Sequence, residues 1–160
     1  MDTCQVNKTF FKNKLFKGVF PCDQLPEIGE SDLPYGLIVN TDPASKPGEH
    51  WIAMFVNENN HAEIFDSFGK PPTNKFIIEF IENNTNSSCY NIVRIQHDLS
   101  EKCGQFAIGY IKSRLNKFSS EEFISLFNQG DLLENDQLID IFNSNCKSYK
   151  NGFTNASCKH

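Results

Sequence analysis

A thiol, an imidazole, a carboxylate and an amide can together carry out acyl transfer, and Cys103, His50, Asp66 and Gln96 supply those four groups. A cysteine attacks a carbonyl well only as the thiolate, which calls for a nearby imidazole and, at best, the electropositive start of a helix. Cys103 opens a segment of helical periodicity with Ser100 or Asp98 placed to cap it, so its sulfur is expected among unpaired first-turn N–H groups. Gly104 leaves room for a substrate carbonyl beside the nucleophile. His50 begins a strand after the Pro47-Gly48 loop and is the imidazole best placed to serve as base. Asp66 would accept the other ring N–H and stabilise the imidazolium. The Gln96 amide, with the Cys103 backbone N–H, would donate to the oxyanion of a tetrahedral intermediate. Singly, each has a plainer use as a buried thiol, half-buried ring, edge acid or polar strand end. Their order, which one antiparallel sheet and one helix can unite, gives them joint weight.

The positioning elements are read as follows. Leu37 to Val39 is a compact strand candidate, and 42–49 is a Pro- and Gly-bearing loop. Trp51 to Val56 and Glu63 to Phe68 read as an antiparallel hairpin closed by the polar turn Asn57 to Asn60. That register puts His50 opposite residues 66 to 68, near Asp66. Phe76, Ile77, Phe80 and Ile81 have amphipathic helical spacing, 83–88 reads as a loop, and Tyr90 to Ile95 as a further strand. Cys103 to Leu115 carries an apolar face broad enough for a central, heavily buried helix. Ser119 and Glu122 form a capping-box signature for a helix through Phe127, and Gln137 to Phe142 reads as a last helix. The first 35 residues read as turns and one short helix covering the core, and 147–160 as a polar, mobile tail.

With 160 residues and 15 phenylalanines, the chain suits a single domain over 1–160 with an aromatic core, best supported over 36–115. A net charge of -5 argues against non-specific nucleic-acid binding, and Lys8, Lys12, Lys14 and Lys17 read as a solvated basic edge. No stretch resembles a signal peptide or reaches 18 apolar residues, so an intracellular chain without membrane spans is expected. Its six cysteines are then mostly free thiols, and the sequons at Asn7, Asn83, Asn86 and Asn155 are chance matches. A zinc site from His50, His61, His97 and Cys103 matches no compact ligand spacing.

Three stretches carry a family resemblance: His50-Trp51, then Phe65-Asp66-Ser67-Phe68-Gly69, then Gln96 followed after six residues by Cys103-Gly104. In order and spacing they resemble the adenovirus endopeptidase (adenain) family of papain-like cysteine proteases and, more distantly, the SUMO-specific proteases. The departures are Asp66 where adenovirus enzymes commonly carry Glu, and Ser67 where they carry Pro. The resemblance implies an α+β fold, a mixed sheet packed against a central helix that starts at the nucleophile. It also implies His50 as general base, Asp66 as orienting acid, Gln96 as oxyanion donor and Cys103 as nucleophile.

The resemblance further implies a viral or virus-like setting, with polypeptide substrates that are viral precursor proteins and a location in host nucleus or cytoplasm and in the virion. Adenovirus members are stimulated by DNA and by a disulfide-linked viral peptide. Cys89 stands at a different spacing and this chain is acidic where those are basic, so no required cofactor is expected and an activating peptide or DNA stays an alternative. A monomer is expected. The function expected is a cysteine endopeptidase working through an acyl-enzyme, with a ubiquitin-like isopeptidase or an idle binding protein as alternatives. Trp51 would wall the cleft or fill core or rim space.

Overall fold

Tyr35–Asn40 and Trp51–Val56, the two most apolar strands, form the middle of a five-stranded sheet in a computed structural model that describes residues 3–10 and 12–145. Strands run β1 (Phe16–Pro21), β2 (Tyr35–Asn40), β3 (Trp51–Val56), β4 (His61–Phe65) and β5 (Ser87–Tyr90), in that spatial order. β2, β3 and β4 pair antiparallel, while β1 joins β2 and β5 joins β4 in parallel, so the sheet is mixed. Helices are α1 (Thr3–Phe10), α2 (Lys75–Asn84), α3 (Cys103–Leu115), α4 (Ser120–Ile124) and α5 (Glu134–Asn145).

Alternation along the strands divides the core in two. Ile38, Ala53, Phe55 and Phe65 face α3, α4 and α5, whereas Leu37, Val39, Ile52, Met54 and Ile64 face Ile77, Phe80 and Ile81 of α2. Every residue of β2 is buried, as expected of a strand covered on both faces. On the α3 side Phe123 meets Phe65, Tyr110, Phe127 and Phe142 at centroid distances of 5.1 to 5.6 Å. Truncating such a ring to alanine costs about 3–5 kcal/mol.

Several expectations shift. The expected turns at Gly18 and Pro21 lie within β1, an edge strand, where a missing N–H and a register irregularity between Phe16 and Gly18 are tolerated. The strand expected at Tyr90 to Ile95 is instead β5, at Ser87–Tyr90, partly inside the expected 83–88 loop. It ends where the Asn91 side chain takes over the bonding, donating to Asp66 O at 2.7 Å and to Val93 O at 3.1 Å. β4 begins at His61 and stops at Phe65, three residues before the expected Phe68. Asn74 caps α2 by accepting from Phe76 N and Ile77 N. The Ser119–Glu122 capping box starts α4, which ends at Ile124 short of Phe127, and α5 is longer than the expected 137–142 at both ends. The expected tail at 147–160 lies outside the described residues.

Candidate active site

Three elements end at one place. The β3–β4 register pairs Ala53 with Phe65, and carrying it on sets His50 across from Phe68, within the expected range. Beyond Phe65 the chain turns back, with Gly69 N donating to Asp66 O at 2.8 Å. Gly69 has φ +67°, and a Cβ there would stand 2.8 Å from Ile92 O, so the turn that presents Asp66 needs glycine on both counts. Asp66 is gripped by its own backbone too: Asn91 accepts from its N–H at 2.8 Å and donates to its carbonyl. On the His50 side Gly48 has φ +89°, and a Cβ would collide with Asn40.

α3 begins at Cys103 as expected, but its N-cap is Lys102, whose side chain makes no capping bond. Asp98 is instead ion-paired with Arg94, and Ser100, two residues before the cap position, accepts from Lys102 N at 3.2 Å.

His50 stands between acid and thiol. Its Nε2 lies 3.0 Å from Asp66 Oδ2, a charge contact lying off the direction of an ideal N–H bond, and the ring is also hydrogen-bonded to the Cys103 thiol. Asp66 Oδ1 is held by Phe68 N at 2.8 Å, and the Phe68 ring packs 5.3 Å from that of His50. Burial alone would lower the His50 pKa, but the close contacts with Asp66 and Cys103, with the charges of both, push it up to about 9. Burial alone would push the Cys103 thiol up. The His50 bond, the N–H groups of Trp51 and Gly104, and the imidazolium charge bring it below its ordinary value. Together these shifts favour a thiolate–imidazolium pair.

Gln96 is buried, and its amide is engaged on both sides. Ser67 Oγ donates to Oε1 at 2.5 Å, while Nε2 donates to Ser100 O at 2.8 Å and Ser100 Oγ at 3.2 Å. A backbone carbonyl only accepts, which fixes the NH2 toward Ser100. The amide is therefore near the nucleophile's approach segment but occupied, and an oxyanion role requires one N–H to leave Ser100. Sequence reasoning did not find the Trp51 N–H as a thiolate donor, nor Ser67, Ser100 and Asn91 as supports. The first was hidden because β4 was expected to run to Phe68 and so to pair with Trp51, whereas it stops at Phe65 and leaves Trp51 without a partner in that strand. Of the other histidines among the described residues, His61 lies on β4 beside Cys89, and His97 accepts from Leu99 N. No three His, Cys, Asp or Glu among the described residues are grouped to hold a metal ion.

No family model matches the chain. Over 102 residues, 57% of this chain and 37% of the relative, it is 29% identical to the cysteine protease of African swine fever virus from a Malawi tick isolate. The crystal structure of the African swine fever virus protease superposes with a TM-score of 0.61 over 89% of this chain and 65% of that one, at 19% identity. These similarities support a place in the adenain/SUMO-protease-like family. An Acanthamoeba polyphaga mimivirus protein named as a thiol protease is 31% identical over 140 residues, 72% of this chain and 45% of that relative. The central domain of an uncharacterized Legionella pneumophila protein shares the fold at a TM-score of 0.52 and 12% identity. The chain thus spans less than half the length of the curated relatives it matches. The α+β fold expected of the adenain/SUMO-protease-like family, a mixed sheet against a helix that starts at Cys103, is the fold observed. No helix among the described residues is long and apolar enough to cross a membrane.

Proposed function

We propose that the chain is a cysteine endopeptidase, with Cys103 as nucleophile, His50 as base and then acid, Asp66 as the carboxylate that orients and charges the ring, and Gln96 as an oxyanion donor. The observation that carries this reading is the position of His50 between Asp66 and Cys103, with the imidazole pKa raised and the thiol pKa lowered. The Cys103 sulfur attacks the scissile carbonyl, and the oxygen becomes an oxyanion held by a Gln96 N–H and backbone N–H groups at the start of α3. As the C–N bond breaks, the His50 imidazolium gives its proton to the leaving amine, leaving a thioester on Cys103. Neutral His50 then takes a proton from water as that water attacks the thioester, and the thiolate leaves. The substrates proposed are polypeptides, viral precursor proteins among them, with the enzyme acting as a monomer in host nucleus or cytoplasm and in the virion. Three African swine fever virus relatives carry the name SUMO-1 cysteine protease, which favours a second reading, release of a ubiquitin-like modifier from a lysine side chain.

The test is cleavage of a proteome-derived peptide library and a panel of ubiquitin-like modifier fusions by wild type and Cys103→Ala, with products mapped by mass spectrometry. Library cleavage that disappears in the variant, by a factor on the order of 10⁶ in kcat, supports the endopeptidase reading. Activity confined to the fusions selects the second. Equal cleavage by both proteins rejects both.

A further inference from the structure

The segment from Ile95 to Gln105 leads into the nucleophile, and one element outside the site holds it at four points: the last helix, α5. Asn135, fully buried, donates to Ile95 O at 2.8 Å and to Asn128 O at 2.7 Å. Asp136 Oδ1 accepts from Ser100 Oγ at 2.7 Å. Asp140 pairs with the Lys102 ammonium, and Asn143 donates to Gln105 O at 2.9 Å. Residues 95, 100, 102 and 105 bracket Gln96 and Cys103 in sequence, so α5 fastens the whole approach to the nucleophile.

The contact at Ser100 goes further than fastening. Its hydroxyl has one proton, and Asp136, a carboxylate, can only accept it. With that proton committed, Ser100 Oγ is left as an acceptor, and it accepts from Gln96 Nε2 and from Lys102 N, both at 3.2 Å. Gln96 therefore rests with one N–H on a carbonyl at 2.8 Å and the other on a longer bond to a hydroxyl whose direction Asp136 sets. The longer bond is the one an oxyanion can displace, because a charged acceptor outcompetes a neutral hydroxyl. Ser67, next to the proposed acid, anchors the opposite end of the amide and prevents it from following the displaced hydroxyl.

We propose that Asp136, acting through Ser100, is a positioning residue for the oxyanion-donating amide of Gln96, which makes α5 part of the catalytic apparatus. Without Asp136 the Ser100 hydroxyl is free to rotate and donate elsewhere, and the amide loses the orientation from which it meets the oxyanion. This inference rests on the peptidase reading above, and its test separates the two.

Wild type, Asp136→Ala, Asp136→Asn and Ser67→Ala would be compared in two assays. One is hydrolysis of a fluorogenic peptide built on a cleavage site recovered from the library; the other is alkylation of Cys103 by iodoacetamide, which forms no oxyanion. Asp136→Ala is expected to lower kcat about tenfold with KM within about twofold, a fraction of the hundredfold or more lost with a whole oxyanion donor. Its Cys103 alkylation rate should stay within about twofold of wild type. Asp136→Asn keeps an oxygen to accept from Ser100 and should restore most of kcat, while Ser67→Ala should reproduce the loss. Asp136→Ala as active as wild type overturns the proposal and leaves the peptidase reading standing. So does a parallel fall in hydrolysis and alkylation, or one that Asp136→Asn does not relieve, since either marks general damage to the fold. A wild type with no Cys103-dependent cleavage removes the peptidase reading and this one with it.

Discussion

Among the described residues two cysteine–histidine pairs occur, and their thiols are shifted in opposite directions. Cys103 meets His50, and Cys89 meets His61, whose Nε2 lies 3.3 Å from the Cys89 sulfur. The Cys103 thiol is lowered, whereas the Cys89 thiol is raised, by burial first and then by Glu63 and Glu121, with Arg114 opposing. The second histidine partner differs as well: Asp66, a carboxylate, for His50, but the Ser87 hydroxyl at 2.7 Å for His61. Placement completes the contrast. Cys103 starts a helix and takes N–H bonds from Trp51 and Gly104, while Cys89 lies exposed on edge strand β5. An adjacent imidazole is therefore not enough to activate a thiol; the charges and dipoles behind the pair decide.

Among changes that keep the Cys103 thiol, the largest effect should come from removing the charge behind His50. Asp66→Asn preserves the size of the side chain and an oxygen for Phe68 N, so the turn survives. The imidazolium loses its counter-charge, and kcat for peptide hydrolysis should fall by about 10² or more, toward the roughly 10⁴ seen when a serine-protease triad loses its acid. Ser87→Ala, the matching change at the other pair, should leave kcat within about twofold. If the two variants fell equally, the functional contrast between the pairs would collapse.

How much of this contrast could be read from residues alone follows from which contacts are local. The β3–β4 hairpin, its turn and the His50 to Asp66 approach were legible because alternation and a polar four-residue turn determine a register. The central helix was legible from its broad apolar face. β1 was not: glycine and proline signal turns locally, and only pairing along β2 at an edge makes a strand of them. The end of β5 was hidden because Asn91 bonds to Asp66, 25 residues away. Gln96 was singled out as a polar strand end, but its anchoring to Ser67 and Ser100, and through Ser100 to α5, depends on long-range packing that no periodicity reports.

A smaller effect, measured on the thiols themselves, sharpens the comparison. A thiol at its ordinary pKa near 9 is only about one part in a thousand thiolate at pH 6, and Cys89 lies above that value. Iodoacetamide at pH 6 should therefore label Cys103 at least about tenfold faster than Cys89, even though Cys103 is buried and Cys89 exposed. Glu121→Gln removes one of the carboxylates that raise Cys89 and should narrow the gap, while Cys103 stays unchanged. Equal labelling of the two in wild type would show that exposure outweighs electrostatics here.

The smallest expected effect is on stability, and its sign is set by His50. A folded-state pKa raised from 6.5 to about 9 contributes stability that is fully present below about 6.5 and is lost as pH rises through about 9. In wild type the lowered Cys103 thiol acts in the other direction, its contribution being present above its unfolded value near 9 and lost as pH falls through its folded value. The two partly offset, which flattens the dependence on pH. Cys103→Ser removes the thiolate and leaves Asp66 as the support of His50, so the ring pKa followed by NMR should fall from about 9 yet stay above 6.5. In that variant Tm should drop by no more than a few degrees between pH 6 and pH 9, with the wild-type drop smaller. A ring pKa unmoved by Cys103→Ser would mean that the sulfur contributes no charge to the pair, and the electrostatic distinction from Cys89 would rest on Asp66 alone.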